Sequence, residues 1–307
     1  MTYADRLDAA IASLGNPCLV GLDPHVDSLP EEYAVVRDPK APRAAKAQAC
    51  SAFLRGIIEV AAGKVPAVKP QSAFFEMYGA DGAKAWEEVV GVARSAGLLV
   101  IGDVKRGDID STAKAYAKAF LEGSSPEDRG TTCDAITINP YLGADSVQPF
   151  IDTCARTGTG IYVLVRTSNK HSALFQDHGQ PLLHEKVATE VAAWGAQVMG
   201  KCHLSSIGAV VGATHPAELA RLRGLMPTTP LLIPGYGAQG AGARDVVGGF
   251  LGRGRGALVN SSRGILYAYK QPKYAGLHWK DAARAAIDDM IAEINAALSV
   301  PSTGTLA

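Results

Sequence analysis

Excess charge of either sign is missing from this chain of 307 residues, in which 30 Lys and Arg balance 30 Asp and Glu. Without a basic or acidic surplus there is no global electrostatic case for nucleic acid or a membrane surface as a partner. Cysteine is scarce: residues 18, 50, 133, 154 and 202 form no C-x-x-C pair. An odd count of this kind argues against a disulfide framework or a zinc ribbon, and for buried, reduced thiols in a cytoplasmic protein. The seven histidines include no H-E-x-x-H, so no metal site is expected. Long apolar runs are absent too, and none approaches the roughly 18 residues that cross a bilayer. The opening MTYADRLDAAIASLGNP mixes two Asp and an Arg among its apolar residues. It reads as an amphipathic helix and not as a signal peptide.

What is present is apolar material in a regular order. Hydrophobic residues make up 47% and charged ones 20%, enough for a large core. Eight short runs, at 18–23, 65–70, 98–105, 134–139, 160–166, 206–212, 230–235 and 256–262, are β-branched or Leu-rich and nearly continuous. That is the pattern of strands buried on both faces. Helical stretches fill roughly 43–62, 79–96, 110–122, 143–156, 184–200, 215–224 and 239–251 between them. A last helix puts Trp279, Ala283, Ile287, Met290, Ile291 and Ile294 on one stripe. No Ser/Gly/Pro-rich linker divides the chain. Eight strand–helix units predict an α/β fold: a single (β/α)₈ barrel over 1–307 with an N-terminal and a C-terminal helix. A doubly wound sheet is the alternative.

Barrels carry their chemistry at the C-terminal ends of the strands. There the sequence has Asp23, Lys69, Asp103 with Lys105, Asn139, Arg166 with Thr167 and Ser168, then Gln239 and Arg263. Helix capping alone would also put Asp, Asn and Ser after strands. The densest cluster is Asp103-Val-Lys105-Arg-Gly-Asp108. Asp103 and Lys105, two apart on a strand end, face the same side, and Lys69 ends the neighbouring strand. Alternating charges crowded at one mouth are costly unless paired or used. A purely structural reading pairs Lys105 with Asp103 and lets Asp108 or Asp110 cap a helix. Gly235-Tyr-Gly237-Ala-Gln-Gly240 fits G-x-G-x-x-G, but it lies in the seventh unit and no acidic residue closes the next strand, so it is not a dinucleotide site. Its glycines suit close approach to a phosphate, with Gln239 and Arg263 as donors. Gly195 to Lys201 imitates a P-loop, with Cys202 where Ser or Thr belongs, inside a helical pattern.

Taken in order, GLDP (Asp23), VKPQ (Lys69), Asp103-Val-Lys105-Arg-Gly-Asp108, PGYGAQG and VNSSRG resemble the motifs of the orotidine 5′-phosphate decarboxylase family. The likeness runs from Gly21 to about Tyr267, and KPQSAFFE with Lys-Arg-Gly-Asp resembles the family's longer-chain (type 2) branch. It implies decarboxylation of orotidine 5′-phosphate to UMP and CO₂, the final step of de novo pyrimidine biosynthesis, without a cofactor. By that resemblance Lys105 donates the proton to a C6 carbanion, between Asp103 and Asp108. Lys69 bridges Asp103 and the ribose, and Asp23 binds a ribose hydroxyl. Ser168 reads the pyrimidine edge, and Gly237, Gln239, Ser262 and Arg263 surround the phosphate. The resemblance further implies a homodimer in which Asp108 and Thr112 serve the partner's site.

Two other readings share these residues. The 3-hexulose-6-phosphate synthase-like aldolases carry the same D-x-K-x-x-D motif, but use Mg²⁺ and a glutamate where Lys69 stands. A lysine is a poor neighbour for a divalent cation. A non-catalytic nucleotide binder would have no use for the Asp103/Lys105/Asp108 cluster. The stretch 167–183 is expected to form a mobile loop near the mouth.

Overall fold

The structure, a computed structural model, describes residues 1–237, 240–252 and 254–299. Eight parallel strands close on themselves in chain order. They are β1 (Cys18–Leu22), β2 (Ala67–Pro70), β3 (Leu99–Arg106), β4 (Ala135–Ile138), β5 (Gly160–Arg166), β6 (Ile207–Val211), β7 (Leu231–Ile233) and β8 (Ala257–Ser261). The last pairs back to the first, Leu19 opposite Asn260. Outside lie α1 (Tyr3–Leu14), α2 (Arg43–Ala61), α3 (Ala73–Glu76), α4 (Gly79–Ser95), α5 (Asp110–Ala117), α6 (Ala144–Thr157), α7 (Ala173–Gln176), α8 (Leu183–Gly195), α9 (Pro216–Leu225), α10 (Arg263–Leu266) and α11 (Trp279–Ser299). The alternation of apolar runs and helical stretches therefore resolves into the (β/α)₈ barrel and not the doubly wound sheet.

Side chains alternate between two cores, as the pleat requires. Val20, Val68, Val100, Ile136, Val163 and Val259 face the helices in one large cluster. Leu19, Ala67, Ile101, Ala135, Tyr162, Val210, Leu232 and Leu258 fill the barrel itself. The same inner cluster includes Tyr3, Leu7 and Ile11 of α1, so this helix plugs the barrel at the strands' N-terminal end. Thr2 and Asp5 form its capping box and Gly15, at φ 66°, ends it. Inside, the Tyr3 hydroxyl meets the Tyr162 hydroxyl at 3.0 Å. Gly208 makes room for this ring, since a Cβ there would stand 2.5 Å from Tyr162.

Two helix expectations need correction. The helix expected over 239–251 is, among the described residues, a short 3₁₀ segment from Ala243 to Gly249. Gly248 and Gly249 pack so closely on Ala220 and Ile233 that a Cβ would lie within 2.9 Å of them, and a tight, glycine-rich turn fits where a regular helix would not. The helix expected over 184–200 stops at Gly195. Cys202 instead donates its main-chain N–H to Asp5 at 3.0 Å, holding the P-loop mimic beneath the plug, far from the strands' C-terminal ends. The loop over 167–183 contains α7 and is bonded to its surroundings. The five cysteines are free, and four of them are buried. No helix among the described residues is long and apolar enough to cross a membrane.

Tyr3 gives a test of the plug. Tyr3→Ala should cost about 3–5 kcal/mol, the range for emptying an aromatic site, whereas Tyr3→Phe should cost about 1 kcal/mol for its hydroxyl pair. Urea midpoints at unchanged slope measure both. Near-equal losses would mean that α1 is only draped over the barrel end.

Candidate active site

One pleat period above the inner apolar layer, the strands turn polar. Lys69 follows Ala67 on β2, Asp103 follows Ile101 on β3, and Thr137 follows Ala135 on β4. All three are buried, with Lys69 5%, Asp103 8% and Thr137 1% exposed. They form the base of a cavity of about 460 Å³ at the C-terminal ends of the strands, with Asp23, Lys105, Ser168 and Arg263 around it. Leu164, Val210, Leu232 and Pro234 supply an apolar wall.

The Asp103 carboxylate is the hub. Lys69 Nζ donates to it at 2.8 Å and Lys105 Nζ at 2.5 Å. Thr137 Oγ1 donates at 2.9 Å and Gln71 Nε2 at 3.1 Å. Burial alone would push the Asp103 carboxyl up, but Lys69 and Lys105 outweigh it and hold it well below the usual carboxylate range. Burial pulls the Lys69 ammonium down, and Asp103 with Asp23 more than reverses this, so it stands above an ordinary lysine. A buried pair of this kind survives because each charge is met by the other and by neutral donors.

A bulge makes the geometry possible. Gly102 pairs with Ile136 and Arg106 with Ile138, so Asp103 to Lys105 stand opposite Thr137 alone. The extra residues bend β3, and Lys105 takes the left-handed region at φ 45°, uncommon for a lysine. Its main-chain N–H finds no ladder partner and donates to Thr137 Oγ1 at 3.0 Å. Thr137 thus holds both the backbone of Lys105 and the carboxylate that Lys105 contacts. The Lys105 side chain remains 46% exposed and reaches into the mouth.

Across the cavity, β1 and β8 add the remaining polar groups. Gly21 is required here: a Cβ would lie 1.9 Å from Ser262 Oγ and 2.9 Å from Asn260 Oδ1. Among the described residues, Asp23 Oδ1 and Asn260 Oδ1 are buried without a hydrogen-bond partner. Such acceptors are costly to leave unmet, and they suit a ligand that brings hydroxyl or N–H donors. Tyr267 secures the Asp23 turn, accepting from His25 N at 2.7 Å and donating to Asp23 O at 2.8 Å. Arg263, at the start of α10, makes no ion pair among the described residues. With two lysines against two aspartates, the arginine leaves one positive charge over, matched to an anion. Gly235 and Gly237 turn the adjacent loop at φ 106° and 73°, conformations that favour glycine.

Not every candidate meets the cavity. Gln239 lies outside the described residues, and Gly237 borders the loop without lining the cavity. Arg166, expected at the mouth, points away from it. The β5 register shifts between Leu164 and Arg166, turning the guanidinium outward onto Glu218 and Asp177, each at 2.7 Å. Asp108 and Thr112 also lie outside the cavity. The capping role open to Asp108 is not taken up: the residue before α5 is Ile109, which has no side-chain cap, and Asp108 Oδ1 accepts its neighbour's N–H, at 2.9 Å. Asn139 turns its oxygen to Tyr141 N at 3.0 Å. A larger hollow of about 800 Å³ lies outside the barrel beside Arg106 and Trp86. Arg106 is already committed there, to Glu76 and to the rings of Tyr116 and Phe120. Sequence reasoning missed Thr137, Gln71 and Asn260. The signal available was the period of two, which puts Thr137 on the inner face with Ala135.

The sequence profile of the orotidine 5′-phosphate decarboxylase / HUMPS family matches residues 19–277. The chain is 42% identical over 298 residues to the orotidine 5′-phosphate decarboxylase of Rhodopirellula baltica, covering 94% of this chain and 98% of that one. It is 44% identical over 245 residues to the protein of the same name from Deinococcus radiodurans, covering 80% and 84%. The solved structure of Leishmania donovani OMP decarboxylase superimposes with a TM-score of 0.74 at 31% identity, over 98% of this chain and 100% of that one.

The surplus positive charge can be tested without any substrate. Inorganic phosphate should raise the melting temperature of the wild type, by an amount equivalent to about 2.7 kcal/mol at a hundred times its Kd. Arg263→Ala should melt near the wild type without phosphate and gain little from it. Equal gains in both chains would place the anion elsewhere.

Proposed function

The chain belongs to the orotidine 5′-phosphate decarboxylase / HUMPS family, and from that membership we propose a cofactor-free decarboxylation of orotidine 5′-phosphate to UMP and CO₂ with Lys105 as the proton donor. Its activity is that of a carboxy-lyase of pyrimidine biosynthesis. The observation that carries the finer reading is the bonding of both Lys69 and Lys105 to the one buried carboxylate of Asp103.

In this mechanism the bond between C6 and the carboxylate carbon breaks, CO₂ departs, and the electron pair stays on C6. Lys105 then gives C6 a proton and leaves as the neutral amine, to be reprotonated from solvent. Lys69, Asp103 and Lys105 already stand in contact, so the charges are in place before charge develops and little reorganisation opposes the reaction. Asp23 takes a ribose hydroxyl through its unmet oxygen, with Lys69 beside it. Ser168 meets the pyrimidine edge. Arg263 and Ser262, with Gly237 and Gln239 of the neighbouring loop, take the phosphate. Lys69 supports this reading over the aldolase one, because an ammonium held against Asp103 occupies ground a divalent cation would need.

We further propose that the enzyme is a cytoplasmic homodimer. Asp108 and Thr112 stand outside their own chain's cavity; Ile109 beside Asp108 is 45% exposed, and Tyr141 and Leu142, in the loop after the adjoining β4, are 82% and 51% exposed. An isologous contact through this face would cover that apolar surface and bring each Asp108 to the other chain's Lys105.

Lys105→Ala should lose nearly all turnover, followed by the absorbance of orotidine 5′-phosphate, yet still bind UMP. The lost interaction belongs to the transition state, while ribose and phosphate contacts remain. EDTA should leave the wild type unchanged. Activity within a few-fold of wild type in the variant would remove Lys105 as the acid, and a metal requirement would favour the aldolase.

The shared site predicts complementation. Mixing Lys105→Ala with Asp108→Asn under subunit exchange puts both lesions in one site of each mixed dimer and neither in the other. With random exchange, about a quarter of all sites should regain wild-type chemistry. A mixture no more active than its parents, with exchange confirmed by native mass spectrometry, would sink the shared-site claim.

A further inference from the structure

The segment 167–183 joins β5 to α8, and its first residues, Thr167, Ser168 and Asn169, line the cavity. A loop of this length does not by itself hold a side chain still. Here the chain folds back on its own beginning. At the end of α7, Gln176 Oε1 accepts the Thr167 main-chain N–H at 3.0 Å, and Gln176 Nε2 donates to Thr167 Oγ1 at 2.7 Å. The Thr167 hydroxyl passes its own hydrogen to Asn169 Oδ1 at 2.6 Å. One residue on, Asp177 pairs with Arg166 at 2.7 Å. Arg166 is only 3% exposed, and its guanidinium is tied on the other side to Glu218 of α9 at 2.7 Å. His184 Nδ1 of α8 lies 2.8 Å from the Gln176 carbonyl.

Two adjacent loop residues thus hold two adjacent residues at the strand end, directly before Ser168. Gly212, at the end of β6, completes the seat: its N–H donates to Arg166 O at 2.8 Å, and a Cβ there would stand 3.0 Å from Ser168 Cβ. Through these contacts Ser168 is placed by a frame built from β5, α8 and α9.

We propose that Gln176 and Asp177 are positioning residues for base recognition, which hold from outside the cavity the strand end that carries Ser168. The inference rests on the decarboxylase reading, in which Ser168 meets the pyrimidine edge. A dione edge offers two carbonyl acceptors around one N–H donor. A serine hydroxyl and its main chain match that pattern only when held in register. Neither Gln176 nor Asp177 lines the cavity. Their effect is to fix the backbone that does, and a displacement of about 1 Å is enough to matter.

The test compares ligands that share sugar and phosphate but differ in the base: UMP, CMP and ribose 5-phosphate, each as a competitive inhibitor. In Gln176→Ala, UMP should bind about tenfold more weakly and lose its advantage over CMP, while ribose 5-phosphate binds as before. Gln176→Glu keeps the acceptor for Thr167 N–H and should recover part of the loss. Asp177→Asn should show the same base-selective loss, and Phe175→Ala, at an exposed position beside them, should show none. If Gln176→Ala weakens all three ligands equally, or none, the positioning role is wrong. Melting curves of Gln176→Glu and Asp177→Asn guard against a folding defect in the alanine variant. A wild type that binds UMP no better than ribose 5-phosphate would instead overturn the decarboxylase reading, and this proposal with it.

Discussion

The buried contact between Lys69 and Asp103 is the constraint around which the rest of the chain is arranged. An ammonium and a carboxylate inside a barrel are stable only if each meets the other and the remaining lone pairs are filled. Meeting requires two adjacent strands in register, which β2 and β3 supply. Filling requires Thr137 from β4 and Gln71 from just beyond β2. The bulge that brings Lys105 onto the same carboxylate strips a main-chain N–H of its ladder partner, and Thr137 takes that up as well. Gly21 opposite then has to stay bare so that Asn260 and Ser262 fit. The polar layer replaces a core layer, and the apolar layer beneath it carries the packing that the polar one gives up.

Much of this fold is legible in the amino-acid sequence, because a parallel barrel repeats one physical demand eight times. Each strand is buried on both faces and so reads as a short continuous apolar run. The boundaries of β1, β5 and β8 come out within a residue or so on that argument alone. The 239–251 segment fails for a reason that periodicity does not contain. Gly248 and Gly249 answer to the close approach of Ala220 and Ile233, a tertiary fact. The segment near 195–202 fails similarly, since Asp5, remote in sequence, captures Cys202.

The site is legible where charge sits at strand ends. Asp23, Lys69, Asp103, Lys105, Ser168, Ser262 and Arg263 converge on one cavity. What does not show is what a bulge does. The shift in β5 sends Arg166 outward, and nothing in GIYVLVR announces it. The shift in β3 gives Thr137 its work, yet a threonine in a strand reads as β-branched filler. Gln176 lies eight residues beyond Ser168 in a stretch that reads as loop, and only the folded chain shows that it returns.

The plug formed by Tyr3, Leu7 and Ile11 has a further consequence, for traffic. With the lower end stoppered and the layer above it filled by Leu19, Ala67, Ile101, Ala135 and Tyr162, the barrel has no passage along its axis. The cavity is a room with one door. Substrate enters, and both products leave, through the same opening between the strand-end loops. A gas released near the Lys69–Asp103 layer must slip past the nucleotide or wait for it to go. The order of departure is therefore set at the mouth, between the strand-end loops that line it.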